Sequence, residues 1–344
     1  MELAMPVVWS DRCLLHEPLA EIWVGVRTPA AETPERATAI LAALDTRVVE
    51  AEAHPDDALL AVHDAGLLAY LETAWDDWAT AGLPTDPGQD RVVPYVFAHQ
   101  GLGARRPPAA AWARPGWFAY DTMTLVGPGT WEAARAAADC ALTAVDLVAG
   151  GQDVAYACTR PPGHHVTRST HGGSCYLNNA AIAAAALRDR LDAPVAVLDV
   201  DAHHGNGTQE IFRGQDDVLT GSVHVDPGAG WFPHFLGFAD ESDAGNLNLP
   251  LQPGSGDESW LAAIEQLVEW AKPAQGLVVA LGVDAAGGDP ESPLEATAAG
   301  FRRAGELLGG LGVPTVIVQE GGYDLAAVGL LVRETLLGFE TGRA

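Results

Sequence analysis

Four short runs of the chain are almost uninterruptedly apolar and rich in β-branched residues: Val154–Cys158, Val195–Leu198, Leu277–Leu281 and Thr315–Val318. Each is too short for a buried helix and reads as a strand covered on both faces. From Thr130 onward helical patterns separate these runs, and that alternation predicts a parallel sheet. Upstream, the pattern predicts a helix over 35–45, opened by Pro34, and another from Asp64 to about Thr80. Otherwise the first hundred residues read as a helical start. Segment 83–119 follows neither period, and Pro and Gly interrupt it among Pro94, Tyr95, Phe97, Trp112, Trp117 and Phe118. A loop this long in a compact domain usually serves function or an interface. The pattern predicts one α/β domain over 1–344, an open, mainly parallel sheet flanked by helices, with a long loop insertion at about 83–119.

Each strand runs into a loop equipped for chemistry. After Val195–Leu198 come Asp199, Asp201, His203, His204 and Asn206; after Val154–Cys158 come Arg160 and the pair His164-His165. The third run leads to Asp284 and the fourth to Glu320-Gly321-Gly322-Tyr323. Sites in open parallel sheets form outside the carboxyl ends of the strands. Carboxylates and imidazoles this dense are costly to bury unpaired, and a divalent metal would pair them. Asp201 and His203, at i and i+2 of an extended segment, face one side and can grip one ion. A polar turn capping the next helix is the alternative.

Composition narrows the partners. The chain has 46 acidic and 19 basic residues, a net charge of −27, and Lys272 as its only lysine. Nucleic acid and anionic membranes would be repelled. A cationic substrate is compatible with this charge, as are plain solubility and a high-salt habitat. Cys13, Cys140, Cys158 and Cys175 are scattered without a Cys-x-x-Cys pair and read as reduced packing residues. The start, Met1 to Pro6, lacks a basic-then-apolar signal pattern, and no apolar run spans a bilayer, so cytoplasm is the expected compartment.

Taken in order, these motifs resemble the zinc-dependent histone deacetylase superfamily, and most closely its bacterial acetylpolyamine amidohydrolase branch. The resemblance runs from Arg36-Ala37 through Val62–Gly66, Leu71–Trp75 and Pro128–Ala134 to Glu320–Tyr323. It implies an arginase/deacetylase-like fold and one zinc ion on Asp201, His203 and Asp284. It also implies that Asp199 orients His164 and Asn206 orients His165. His165 is then the general base and acid, His164 its electrostatic support, and Tyr323 the oxyanion donor. Asp199, Asp201, His203, Ser222 and the carbonyl of Val223 match the family's structural potassium site; Phe212 and Val218 match parts of a second. A homodimer built through the 83–119 loop, which also narrows the entrance, is implied as well.

Substrate choice is where the chain departs from the branch. Glu291, after Gly288-Asp289-Pro290, stands where polyamine-selective eukaryotic deacetylases carry a gatekeeper for the distal ammonium; a glutamate opening a helix is the alternative. The loop positions that hold polyamine-binding acids in bacterial relatives carry Trp112 and Met123 here. Trp112 could stack on a cation instead. One tunnel wall, Gly173-Ser174, has serine in place of the usual aromatic, and Phe232 keeps the other wall. The reading is a zinc amidohydrolase that deacetylates small acetylated amines, N-acetylpolyamines foremost. Its rivals are an acetyl-lysine protein deacetylase, a hydrolase of a bulkier or neutral amide, an arginase-like dinuclear enzyme, and a non-catalytic binder.

Overall fold

A computed structural model describes residues 3–44, 46–85, 91–103 and 105–344. Its strands are β1 (Val7–Trp9), β2 (Glu21–Trp23), β3 (Val26–Thr28), β4 (Val48–Glu50), β5 (Val154–Ala157), β6 (Val195–Asp199), β7 (Val218–Val225), β8 (Asn246–Leu251), β9 (Gly276–Leu281) and β10 (Thr315–Gln319). The helices are α1 (Pro34–Ala43), α2 (Asp57–Leu60), α3 (Ala65–Thr80), α4 (Pro115–Phe118), α5 (Thr130–Ala149), α6 (Asn179–Leu191), α7 (Asn206–Phe212), α8 (Asp257–Trp270), α9 (Ala298–Gly309) and α10 (Val328–Arg343).

Eight strands form one sheet in the order β4-β1-β5-β10-β9-β6-β7-β8. Every described pairing in it is parallel. The four strands read from the sequence, β5, β10, β9 and β6, are consecutive in its centre, and each is buried along its whole length. That explains their unbroken apolar character, since layers cover both faces of the sheet. Aligned register, with Asp199 opposite Ala280 and Gln319 opposite Leu281, brings their carboxyl ends level. The four chemically equipped loops therefore leave the sheet side by side.

The amino-terminal region departs from the helical expectation. α1 and α3 stand where helices were predicted, but β1 and β4 extend the sheet, and β2 and β3 form an antiparallel hairpin. Each of these strands has three residues, too few to display a period. Strict alternation also fails once: β7 pairs directly with β8, and the 226–245 connection holds only two 3₁₀ turns. Of segment 83–119, residues 86–90 and 104 lie outside those described. The remainder forms a 3₁₀ turn at Gln100–Leu102, the short α4, and a bridge from Val92 to Val126. The four cysteines are buried and free.

Candidate active site

Asp201, His203 and Asp284 converge at the carboxyl ends of β6 and β9, with one ligand atom from each lying within 4.8 Å of the others. His203 Nδ1 is 3.0 Å from Asp284 Oδ2 and 3.2 Å from Asp201 Oδ1. Backbone N–H groups fix both carboxylates: Ala202 donates to Asp284 Oδ1, His203 to Asp201 Oδ1, and Gly321 to Asp201 Oδ2, each at 2.8 Å. Two glycines make the room. A Cβ on Gly282 would lie 2.0 Å from Asp201 Oδ2, and one on Gly321 2.5 Å from both Asp201 Oδ2 and Asp284 Oδ2. The helix-cap alternative is not realised, because α7 begins after Gly205 without a side-chain cap. Burial, with the Asp201 charge beside it, pushes the Asp284 carboxyl up to about 7. Two buried carboxylates and an imidazole aimed at one point fit a divalent cation of the zinc type.

The histidine pair sits beside this cluster, its rings 4.0 Å apart. His164 Nδ1 lies 2.8 Å from Asp199 Oδ2, and His165 Nδ1 lies 2.7 Å from Asn206 Oδ1. The partners separate the two rings. Burial opposes charge on His164, yet Asp199, Asp201 and Glu320 outweigh it and push its pKa up to about 10. Burial holds that of His165 well below the usual imidazole range, reinforced by the positive His164 and His203. Since the Asn206 oxygen can only accept, the His165 proton resides on Nδ1 and Nε2 is left as the acceptor.

The sequence marks Glu320 within its Glu-Gly-Gly-Tyr motif but assigns it no role. It is fully buried, and Oε2 accepts from the N–H groups of Gly163 at 2.6 Å and His164 at 3.1 Å, anchoring the histidine loop. Arg36 anchors the neighbouring loop. Its Nε and Nη2 donate to the carbonyls of Gly322 and Glu320, each at 2.6 Å, and its guanidinium stacks 4.6 Å from the Tyr323 ring centroid.

Between these groups lies a pocket of about 450 Å³, its open mouth included. His165, His203 and Tyr323 line it, as do the expected Gly173, Ser174, Phe232 and Glu291. Met123 also reaches it. Trp112 does not; it is half exposed on the surface. Phe232 meets His165 edge-on at 4.8 Å. Opposite, Ser174 leaves the wall short, but Tyr120 stacks on Phe232 at 6.3 Å and donates its hydroxyl to the His165 carbonyl at 2.9 Å. Glu291 opens no helix, since α9 begins at Ala298. Glu21 and Glu32 add two carboxylates to the lining. Burial, with Glu291 and Asp121 nearby, pushes Glu21 up to about 7. No sequence signal marked Glu21, a lone acid on a three-residue strand.

Of the expected potassium ligands, Asp201 and His203 belong to the cluster already described. Asp199 faces Ser222 in the β6–β7 ladder, and both line a second, small recess with His204, Gln209 and Asn246. The Ser222 hydroxyl is 2.8 Å from His224 Nδ1, and Val223 is buried within β7. Phe212 ends α7 and Val218 begins β7.

With fold and site in view, the family profile described as the histone deacetylase domain matches residues 30–338, and the chain belongs to the histone deacetylase family. Within it, the chain is 39% identical to acetylpolyamine amidohydrolase 1 of Pseudomonas aeruginosa, covering 97% of this chain and 98% of that one. It is 38% identical to acetylpolyamine amidohydrolase of Mycoplana ramosa, over 97% and 99% of the two chains. The crystal structure of acetylpolyamine aminohydrolase from Burkholderia pseudomallei superimposes with a TM-score of 0.92 at 38% identity, covering 99% of this chain and all of that one.

Proposed function

We propose that this chain removes acetyl groups from small acetylated amines, N-acetylpolyamines foremost, by hydrolysing the amide at a single zinc ion. The observation that carries the reading is one pocket lined by His165 and Tyr323 at its reacting end and by Glu21 and Glu291 as well. Asp201, His203 and Asp284 would hold the metal. When bound there, zinc supplies Lewis-acid polarisation of the amide carbonyl and acidifies a water molecule.

The remaining steps belong to the protein. His165 Nε2 takes a proton from the attacking water and returns it to the leaving nitrogen, and the water's second proton leaves with the acid, so the products are the amine and acetic acid, which ionise to ammonium and acetate. Asn206 keeps His165 in the tautomer that allows this. His164, held as imidazolium by Asp199, contributes charge rather than a proton. The Tyr323 hydroxyl donates to the oxygen on which negative charge develops. Glu21 and Glu291 attract a distal ammonium, and the relatives' names point to the same substrate class.

Asp199, Asp201, His203, Ser222 and Val223 are the proposed holders of a structural potassium ion. Among the described residues no helix is long and apolar enough to cross a membrane; the location proposed is the cytoplasm. The exposed Tyr95, Phe97 and Leu102 are the apolar surface a homodimer through segment 83–119 would cover. The short wall at Ser174 favours a second reading, a bulkier acyl group or amine.

The test is pH dependence. Glu21 must be ionised to attract an ammonium, and its pKa lies at about 7. KM for N-acetylputrescine should therefore rise as pH falls from about 8 to 6, whereas KM for neutral N-butylacetamide should not. Glu21→Gln should weaken that dependence, and Glu291→Leu should lower kcat/KM for the polyamine by about 10- to 100-fold, the worth of a partly buried ion pair. Parallel pH profiles for both substrates would exclude ammonium recognition by these acids.

A further inference from the structure

Asp289 lies at the edge of the pocket without lining it, only 6% exposed. Both of its oxygens are committed to backbone N–H groups, and those groups belong to two different parts of the pocket. Oδ2 accepts from Tyr323 at 2.7 Å and from Asp324 at 3.2 Å. Oδ1 accepts from Glu291 at 3.0 Å. One small planar group thus holds the backbone of the residue that addresses the carbonyl and of the residue that meets the amine. Their side chains line the same pocket. Pro290, between Asp289 and Glu291, fixes its own φ and disfavours the helical region for Asp289, so the link is short and stiff. Only a group that accepts on both oxygens can do this; asparagine offers one acceptor and sets an NH2 against an N–H.

We propose that Asp289 is a ruler: it sets the spacing between Tyr323 and Glu291, and thereby selects acetylated amines by the number of carbons between amide and ammonium. The proposal rests on the reading that Glu291 meets a substrate ammonium. Asp289 touches no reacting atom and acts by position. Fixed spacing matters because a misplacement of about 1 Å costs about 100-fold in rate.

The experiment compares kcat/KM for N-acetyl derivatives of 1,3-diaminopropane, putrescine, cadaverine and 1,6-diaminohexane, with N-butylacetamide as the neutral control. Zinc-loaded full-length wild type, Asp289→Asn and Asp289→Glu are used, with metal content and thermal unfolding measured on each. Wild type should show a sharp optimum in chain length. Asp289→Asn should lower the optimum by about 10- to 100-fold and flatten the profile. Asp289→Glu, which keeps both acceptors on an arm one methylene longer, should move the optimum, and it guards against an asparagine variant that fails to fold. A displaced Tyr323 alone would lower every substrate alike, so the shape of the profile separates measuring from propping. If both variants keep the wild-type shape at reduced amplitude, the ruler is refuted while Glu291 recognition stands. If wild type itself treats the amines and N-butylacetamide alike, Glu291 recognition fails and the ruler falls with it.

Discussion

Asp284→Asn is expected to abolish zinc binding and turnover. Asp284 is fully buried, and its Oδ2 faces His203 Nδ1 at 3.0 Å while Oδ1 is held by Ala202 N–H. The substitution keeps the side chain's shape but removes the charge that a divalent cation needs. Loss of residues that merely orient a ligand costs about 10- to 100-fold in metal affinity, so losing a ligand should cost at least about 100-fold. Metal content after gel filtration is the direct readout, with deacetylation measured in parallel. Because Asp201 and Asp284 repel one another in this buried pair, neutralising one should not harm the metal-free fold. Zinc retained at one per chain in Asp284→Asn would remove this residue from the metal site.

Tyr323→Phe should lower kcat by about 100- to 1000-fold, the usual worth of one oxyanion donor, with zinc content and KM little changed. The ring stays in place, since Arg36 stacks on its face and also binds the loop carbonyls of Gly322 and Glu320, which no hydroxyl supports. Burial holds the Tyr323 phenol well above its ordinary pKa, so it remains a donor at every working pH. An unchanged kcat would place Tyr323 outside the chemistry.

The parts of this protein that could be read from its sequence are those whose cause is local. β5, β6, β9 and β10 are covered on both faces, so their apolar runs stand out, and the loops that follow them carry residues whose chemistry has few other uses. Strands β1 and β4, at three residues each, leave no such trace. Glu21 comes to the pocket from the amino-terminal hairpin, and Tyr120, just after α4, backs its wall by stacking on Phe232; neither lies in a motif. Trp112 failed as a pocket residue for the reverse reason. Counting back along a loop of irregular length assumes a path that only tertiary packing decides. Asp289 was legible as a residue, but its link to Tyr323 spans 34 positions and is set by the fold.

The most direct test of the account is amine release by zinc-loaded protein from matched substrates: N8-acetylspermidine, N-acetylputrescine, N-acetylcadaverine, an acetyl-lysine peptide and a neutral aryl acetamide. The account predicts that the acetylpolyamine of best-fitting chain length leads in kcat/KM, by about tenfold or more over the neutral amide, since one ion pair in a partly desolvated pocket is worth that much. Preference for the neutral amide or the peptide, with the polyamines untouched, would contradict it and turn attention to the short wall at Ser174.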